Sequence, residues 1–404
     1  MTKKVYIFDD YITSRRNGIG VYVKELSYCL KVLECTVTLM MQNSDCEDVV
    51  MEKRGGVSCL CFPKFPGRYP SQINHKVISR FMRMYIEGDP DNIFIFNHTP
   101  ADGLMGIIKE YYPKSKLVYV AHNLTWCAPL LGDAHRMRQI VGQKKRSETN
   151  RRIFEDWKMQ QRTMEMADAV VCLSEDTLEV LKEVVLPNPA KVHLIPNGLR
   201  LGKRNAFEKR SALRHTHGIT DDEIVLLFVG RTTEAKGIFP LLKALPALRE
   251  RYGNIRLAIA GSLTISDLNA FAEVMPNVIC LGHLKKEKLY QWYRIADIGM
   301  VVSYTEQCSY AGLEMMQYGL PIVASDGFGV RCMFKDGENA VTARIGSRKS
   351  DSEYVRNIAN AVAGLVENDE LRERLIGNGK QVLRWKYSIE AMKKNYKNLF
   401  NSFQ

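Results

Sequence analysis

Nowhere in the 404 residues does an apolar run approach the roughly 20 positions that cross a bilayer, so no helical membrane span is expected. The chain passes from Met1 to Lys4 directly into an apolar strand pattern at Val5, and secretion is not expected either. Ten cysteines are present, but they are scattered as singles apart from Cys59 and Cys61. There is no C-x-x-C pair and no His/Cys cluster at zinc spacing, which indicates a reduced, cytoplasmic protein without structural metal. No D-x-D triplet is placed to hold a metal, and the pairs Asp9–Asp10 and Asp221–Asp222 read as structural. Acidic residues are in deficit, 45 against 57 lysines and arginines, and the resulting net charge of +12 calls for an anionic partner. Nucleotide phosphate, a membrane surface and nucleic acid all fit such a charge. No RNA-binding module signature accompanies it, so nucleic acid is not expected.

A chain of this length, with 46% hydrophobic residues, has material for two or three cores. Much of the charge sits in two places, Arg136 to Arg162 and the tail from Lys380 to Lys397. The first reads equally as a solvated helix face with Ile153, Trp157, Gln160 and Met164 on its apolar side, or as a surface for an anionic acceptor. Elsewhere strands and helices alternate. Val5–Phe8, Thr36–Met41, Val57–Phe62, Ile93–Asn97, Lys116–Ala121 and Ala169–Leu173 read as strands of one sheet, and the segment Val192–Gly198 follows them. Ile224–Val229, Ile255–Ala260, Val278–Gly282 and Asp297–Ser303 read as strands of another. This is an α/β chain with doubly wound parallel sheets. A loop through Arg15, Arg16 and Asn17 to Gly18 and Gly20 leads into a helix at about Val21, and Pro63, Pro66, Gly67 and Pro70 mark a second loop. Arg200–Arg214 reads as a polar linker.

The rest of the chain is organised around Ile298–Ser325, where Glu306 and Glu314 lie eight positions apart between two buried strands. Glu306 falls in the loop leaving the first strand, Ser309 can cap the following helix, and Glu314 lies about one and a half turns inside it. Gly319 and Pro321 supply the stop. Both carboxylates then face a crevice at the carboxyl ends of the strands, and the free amides of Ser309, Tyr310, Ala311 and Gly312 offer an anion site there. A second constellation follows the strand Ile224–Val229. Arg231, able to bond in a fork, and Lys236, a point charge, can converge on a diphosphate ahead of the helix Phe239–Arg251.

Over most of its length, and most closely from Val192 to Glu338, the sequence resembles the retaining glycosyltransferases of family 4 and the GT-B fold. The matching features are Glu306-x7-Glu314, Gly319-Leu320-Pro321-Ile322-Val323-Ala324, Gly230-Arg231-x4-Lys236-Gly237 and Ile195-Pro196-Asn197-Gly198. The resemblance implies two Rossmann-like domains facing across a cleft. An acceptor-binding domain would span 1–200, a nucleotide-sugar domain 201–384, and a tail 385–404 would cross back to the first through Met392, Tyr396, Leu399 and Phe403. Glu306 would bond hydroxyls of the transferred hexose, Glu314 the ribose, and Arg231 and Lys236 the diphosphate. His122, ending a strand, would bond the donor sugar, with His98 a weaker candidate for acceptor contact. Gly18 and Gly20 would lie beside donor and acceptor, Ser262 would bind the donor, and His283 and Leu284 would meet the nucleotide base through main-chain groups.

Transfer would be retaining and metal-independent, with a UDP- or GDP-linked sugar as co-substrate and no cofactor. Acceptors would be glycans, lipid-linked carriers or peptides, the last because Glu306-Gln307-Cys308-Ser309-Tyr310 resembles a bacterial subgroup. The location implied is cytoplasmic, with peripheral contact at an anionic membrane face. Two departures stand out: Gln307-Cys308-Ser309 replaces the usual Pro/Gly-Phe-Gly, and Arg331 replaces a Glu after Gly327 and Gly329. The alternatives are a nucleotide-sugar epimerase on the same fold and a non-catalytic binding or chaperone subunit. A phosphorylase would need a pyridoxal-binding lysine motif, which is not found.

Overall fold

The computed structural model describes residues 2–14, 18–64, 71–185, 188–202, 209–348 and 350–403. The expected loop residues Arg15, Arg16, Asn17, Pro66, Gly67 and Pro70, and most of the stretch between Arg200 and Arg210, lie outside them. The chain divides into two compact units, one formed by 1–127, 134–200 and 388–404 and the other by 128–133 and 201–387.

The first unit is built on eight strands: β1 Lys4–Asp10, β2 Thr36–Ser44, β3 Val50–Arg54, β4 Val57–Pro63, β5 Asn92–Phe96, β6 Lys116–Ala121, β7 Ala169–Cys172 and β8 Val192–Leu194. Their order is β3-β4-β2-β1-β5-β6-β7-β8. All pairings are parallel except β3 with β4. The central strands are covered on both faces, which is why they read as unbroken apolar runs. Register sets Tyr6 beside Phe94 and Phe8 beside Phe96, and both ring pairs stack, with centroids 5.1 and 4.6 Å apart. The antiparallel edge strand β3 was not anticipated. Its signal was present, because Gly55 and Gly56, both at positive φ (55° and 75°), form the two-residue turn that joins it to β4. Charges at Glu52, Lys53 and Arg54 protect that edge.

The second unit carries β9 Ile224–Val229, β10 Ile255–Ala260, β11 Val278–Cys280, β12 Ile298–Val301, β13 Ile322–Ser325 and β14 Val341–Ala343. They run in the order β11-β10-β9-β12-β13-β14, all parallel. Its core packs Leu226 and Phe228 of β9 against Leu241, Leu245 and Leu248 of the helix Ile238–Tyr252 and against Tyr354, Ile358 and Val362 of the helix Ser352–Val366.

Three expectations are corrected. Gly18 and Gly20 do not form a loop, because Gly18 opens the helix Gly18–Val32 and Gly20 lies in its first turn. A Cβ on Gly20 would stand 2.2 Å from the carbonyl oxygen of Ser14, so this glycine is explained by packing. The presumed linker ends in a helix, Arg210–Thr216, whose Arg214 is only 1% exposed. Arg214 donates to the carbonyls of Thr220 and Ile295 at 2.8 Å and pairs with Asp297 at 3.2 Å. The tail also begins later than Trp385, which is exposed within the helix Asp369–Lys386. The returning helix is Ile389–Asn401, which buries Met392, Tyr396, Leu399 and Phe400 in the first unit. There the Tyr396 and Tyr22 hydroxyls hydrogen-bond, while Phe403 is only partly covered.

Candidate functional site

In the second unit the strand order reverses between β9 and β12, and in such open sheets ligands bind beyond the carboxyl ends at that reversal. The residues leaving these strands meet there. Lys236 ends a short 3-10 turn after β9, Glu306 lies in the loop after β12, and the Lys236 ammonium donates to Glu306 Oε2. Both side chains are largely covered. Arg231, two residues past β9, is exposed and makes no ion pair among the described residues. Beside it Thr232 Oγ1 donates to the carbonyl of Ser262 at 2.5 Å, which fixes Ser262 at the end of β10. His283 and Leu284 lie in the loop from β11 to the helix Lys286–Ile295, His283 exposed and Leu284 partly covered.

The loop that carries Glu306 is gripped from both sides. Its amide donates to the Phe328 carbonyl at 2.9 Å, and the Phe328 amide donates to the Tyr304 carbonyl at 3.1 Å. Gly329 has φ 77°, and a Cβ there would fall 1.7 Å from the Glu306 carbonyl oxygen. Gly237, at φ 70°, would place a Cβ 1.8 Å from the Val302 carbonyl oxygen. The Gly327–Gly329 segment is therefore a fixed brace and not a flexible turn. Only glycine allows both the left-handed backbone and the close approach.

Ser309 caps the helix Tyr310–Tyr318, its hydroxyl accepting from the Gly312 amide at 3.2 Å, and Gly319 ends it in the left-handed conformation at φ 73°. The expected anion site is narrower than four free amides. The Gly312 amide is taken by the cap, and the Ser309 amide donates to Met333 Sδ at 3.0 Å. Tyr310 is buried and Ala311 partly covered in the same turn. Gln307, Cys308 and Ser309, the departure from the family pattern, are all buried.

Glu314 is 3% exposed, yet both of its oxygens are engaged. Lys286 Nζ donates to Oε1, and the Tyr293 hydroxyl donates to Oε2 at 2.8 Å. Burial pushes the Tyr293 phenol well above its usual value, and the neighbouring carboxylate adds to the shift. Sequence reasoning missed both partners. The available signal was the i, i+4, i+7 spacing of Lys286, Tyr290 and Tyr293, which one face of a helix between β11 and β12 brings together.

In the first unit the order reverses between β1 and β5. Asp9 at the end of β1 is buried, accepts from the Ser14 hydroxyl, and lies 3.2 Å from His98 Nε2. Asp10 accepts from the Thr13 amide at 2.8 Å. His122, after β6, bonds Asn97 Oδ1 at 2.9 Å through Nε2 and sits edge-on to Tyr22, with centroids 4.5 Å apart. Burial, with a smaller effect from His98, lowers its pKa to about 3, so the ring is neutral at physiological pH. Asn97 in turn donates to the Phe8 carbonyl at 3.0 Å, tying His122 to the reversal point.

The basic segment forms the helices Ala134–Gly142 and Glu148–Met166. Part of its charge is structural: Arg146 donates to the carbonyls of Ile140 and Val141 at 2.8 Å and stacks on Phe154, and Arg138 pairs with Glu183 at 2.6 Å. Lys144, Lys145, Arg151 and Arg152 are exposed. No helix among the described residues is long and apolar enough to cross a membrane, and no group of three or more His, Cys, Asp or Glu side chains there is arranged to hold a metal ion.

Comparison with known proteins bears on both units. Residues 16–203 match the family model Glycosyltransferase Family 4, and residues 209–382 match Glycosyl transferases group 1. An uncharacterized glycosyltransferase of Methanocaldococcus jannaschii is 29% identical over 241 residues, covering 57% of this chain, which spans only 59% of that relative's length. A D-inositol 3-phosphate glycosyltransferase of Xylanimonas cellulosilytica is 23% identical over 403 residues, covering 94% of this chain and 91% of the relative. Among solved structures, the Anabaena protein Alr3699/HepE, crystallised with UDP and glucose, superposes with a TM-score of 0.69 at 15% identity, covering 99% of this chain and all of that one. At that identity the likeness is one of fold.

Proposed function

The chain belongs to glycosyltransferase family 4 of the GT-B fold, and from that premise we propose that it is a retaining, metal-independent hexosyltransferase. Its donor on this reading is a nucleoside-diphosphate sugar, and its acceptor a hydroxyl of a glycan, a lipid-linked carrier or a peptide.

The observation that carries the reading is the Lys236–Glu306 ion pair at the strand reversal of the second unit. Breaking a sugar–phosphate bond leaves negative charge on the departing diphosphate and positive charge on the anomeric carbon, so preorganised charges at those two places supply the largest gain. Lys236 and the exposed Arg231 are the cations for the diphosphate. Once the donor is bound, Lys236 shares its three donors between phosphate and Glu306, and Glu306 accepts from sugar hydroxyls. Glu314 accepts from the ribose, and Ser262, His283 and Leu284 border the nucleoside. His122, a neutral ring, bonds a hydroxyl of the sugar. The leaving phosphate takes the acceptor's proton on the same face, so neither carboxylate needs to act as a nucleophile.

UDP is the nucleotide to try first, supported by its presence in the Anabaena neighbour. The exposed Lys144, Lys145, Arg151 and Arg152 support an anionic acceptor, or peripheral docking on an anionic membrane surface facing the cytoplasm.

Calorimetric titration with UDP, GDP and ADP and their common sugar conjugates tests the proposal. Saturable binding of one nucleotide is expected, weakened at least roughly tenfold, or about 1.4 kcal/mol, in Arg231→Ala. Glu306→Gln should keep nucleotide affinity and lose transfer by about 100-fold or more. Equal loss of nucleotide affinity in both variants would contradict these roles. Retention is read from the anomeric configuration of the product by NMR, and metal independence from activity in EDTA.

A further inference from the structure

Glu314 sits deep in the second unit with a support too specific to be incidental. Lys286, Tyr290 and Tyr293 form one face of the helix Lys286–Ile295, and Glu314 and Tyr318 form the facing stripe of the helix Tyr310–Tyr318. Tyr318 is stacked between Tyr290 and Tyr293, with both centroid distances 5.4 Å and interplanar angles of 28° and 25°. Lys286 Nζ lies 6.0 Å from the Tyr290 ring centre and donates to Glu314 Oε1, while the Tyr293 hydroxyl donates to Oε2. The stacked rings fix the spacing of the two helices, so the two donors meet the carboxylate from fixed positions. Lys286 occupies the first helical position and follows Lys285, an arrangement that runs against the helix dipole. A residue that breaks a local rule in this way needs a compensating role, and its contact with the buried Glu314 supplies one.

A carboxylate offers about four acceptor positions. Lys286 and Tyr293 fill one on each oxygen. One on each oxygen is left, which is the complement of two adjacent hydroxyls.

We propose that Lys286 and Tyr293 are positioning residues that hold Glu314 as a rigid two-pronged acceptor for the vicinal diol of a ribose. The site thereby selects ribonucleotides over 2′-deoxyribonucleotides. The proposal rests on the donor-site reading above and assigns its sugar discrimination to residues outside the E-x7-E motif. With Lys286 removed, Glu314 keeps one neutral donor and its carboxylate is free to rotate, so the loss falls on the ligand that uses both prongs. Lys286 is 41% exposed on its side chain, and its replacement by Met leaves no buried cavity.

The test is calorimetry of the full chain with UDP, GDP, ADP and their 2′-deoxy counterparts, on wild type, Lys286→Met, Lys286→Arg and Tyr293→Phe. Wild type should bind one ribonucleotide at least roughly tenfold more tightly than its deoxy form. Lys286→Met should weaken the ribonucleotide and leave the deoxy form nearly unchanged, reducing the ratio to about threefold or less. Tyr293→Phe should move the ratio in the same direction by less, and Lys286→Arg should restore it. Equal weakening of both forms, or an unchanged ratio in Lys286→Met, overturns the proposal while leaving the donor site standing. A wild type that binds none of the six nucleotides overturns both.

Discussion

His122 illustrates how one residue's surroundings decide its chemistry. A histidine at the end of a parallel strand can be a ligand contact or a structural side chain, and its position in the sequence is the same in either case. The structure holds it against Tyr22 and Asn97 and depresses its pKa to about 3, well below an ordinary histidine near 6.5. The sign follows from linkage. Below pH 6.5 the unfolded chain takes up a proton that the folded His122 refuses until about pH 3, so its contribution to stability is complete above pH 6.5 and is lost as pH falls through that window. The slope from this group is at most about 1.4 kcal/mol per pH unit. Urea unfolding at pH 7 and pH 5 should show a smaller loss of stability on acidification in His122→Asn than in wild type. Nuclear magnetic resonance of the imidazole protons should show no titration of His122 between pH 8 and pH 5.

At the scale of the element, the loop after β12 owes its shape to segments distant in sequence. Glu306 is placed by the bonds of its backbone to Phe328 and by the tight approach of Gly329, not by its own neighbours. Gly329→Ala forces a Cβ into the Glu306 carbonyl and puts a strained φ on an L-residue, a cost of about 1–3 kcal/mol for the backbone alone. Steady-state kinetics should register a fall in kcat of roughly tenfold or more, since a displacement of about 1 Å in a positioning group can cost 100-fold. Nucleotide affinity measured by calorimetry should change less, because Arg231 and Glu314 are held by other elements. The pairing of E-x7-E was legible in the sequence because strand, cap, helix and left-handed stop each have a local signature. The brace was not, because a G-x-G pair in a loop looks the same whether it is flexible or clamped.

At the scale of the whole molecule, the chain is a member of the GT-B class in which each unit is a doubly wound parallel sheet and the C-terminal helix returns to the first unit. That return is a structural commitment: Tyr396 is fully buried and bonded to Tyr22 across nearly the whole length of the chain. Tyr396→Ala should cost about 3–5 kcal/mol, the range for deleting a buried aromatic, and Tyr396→Phe about 1 kcal/mol for the lost hydroxyl bond. Denaturant unfolding of the two variants measures the difference, and a drop in Tyr396→Ala no larger than in Tyr396→Phe would mean that the helix is not part of the first unit's core.

The sequence by itself determined the central strands of both sheets, the helices that carry apolar periodicity, the two-sheet class and the family signature, while the edge strands β3 and β14 escaped it. Each of these is written in local composition: buried parallel strands are continuous apolar runs, and caps and stops use particular residue types. Tertiary structure alone decided that Arg214 is a buried hub bonded to Ile295 and Asp297, that the Ser309 amide is already occupied by Met333, and that Lys286 and Tyr293 hold Glu314. Those facts depend on partners far along the chain, whose approach is set by helix packing and strand register, and a local pattern can offer a face without naming the partner it meets.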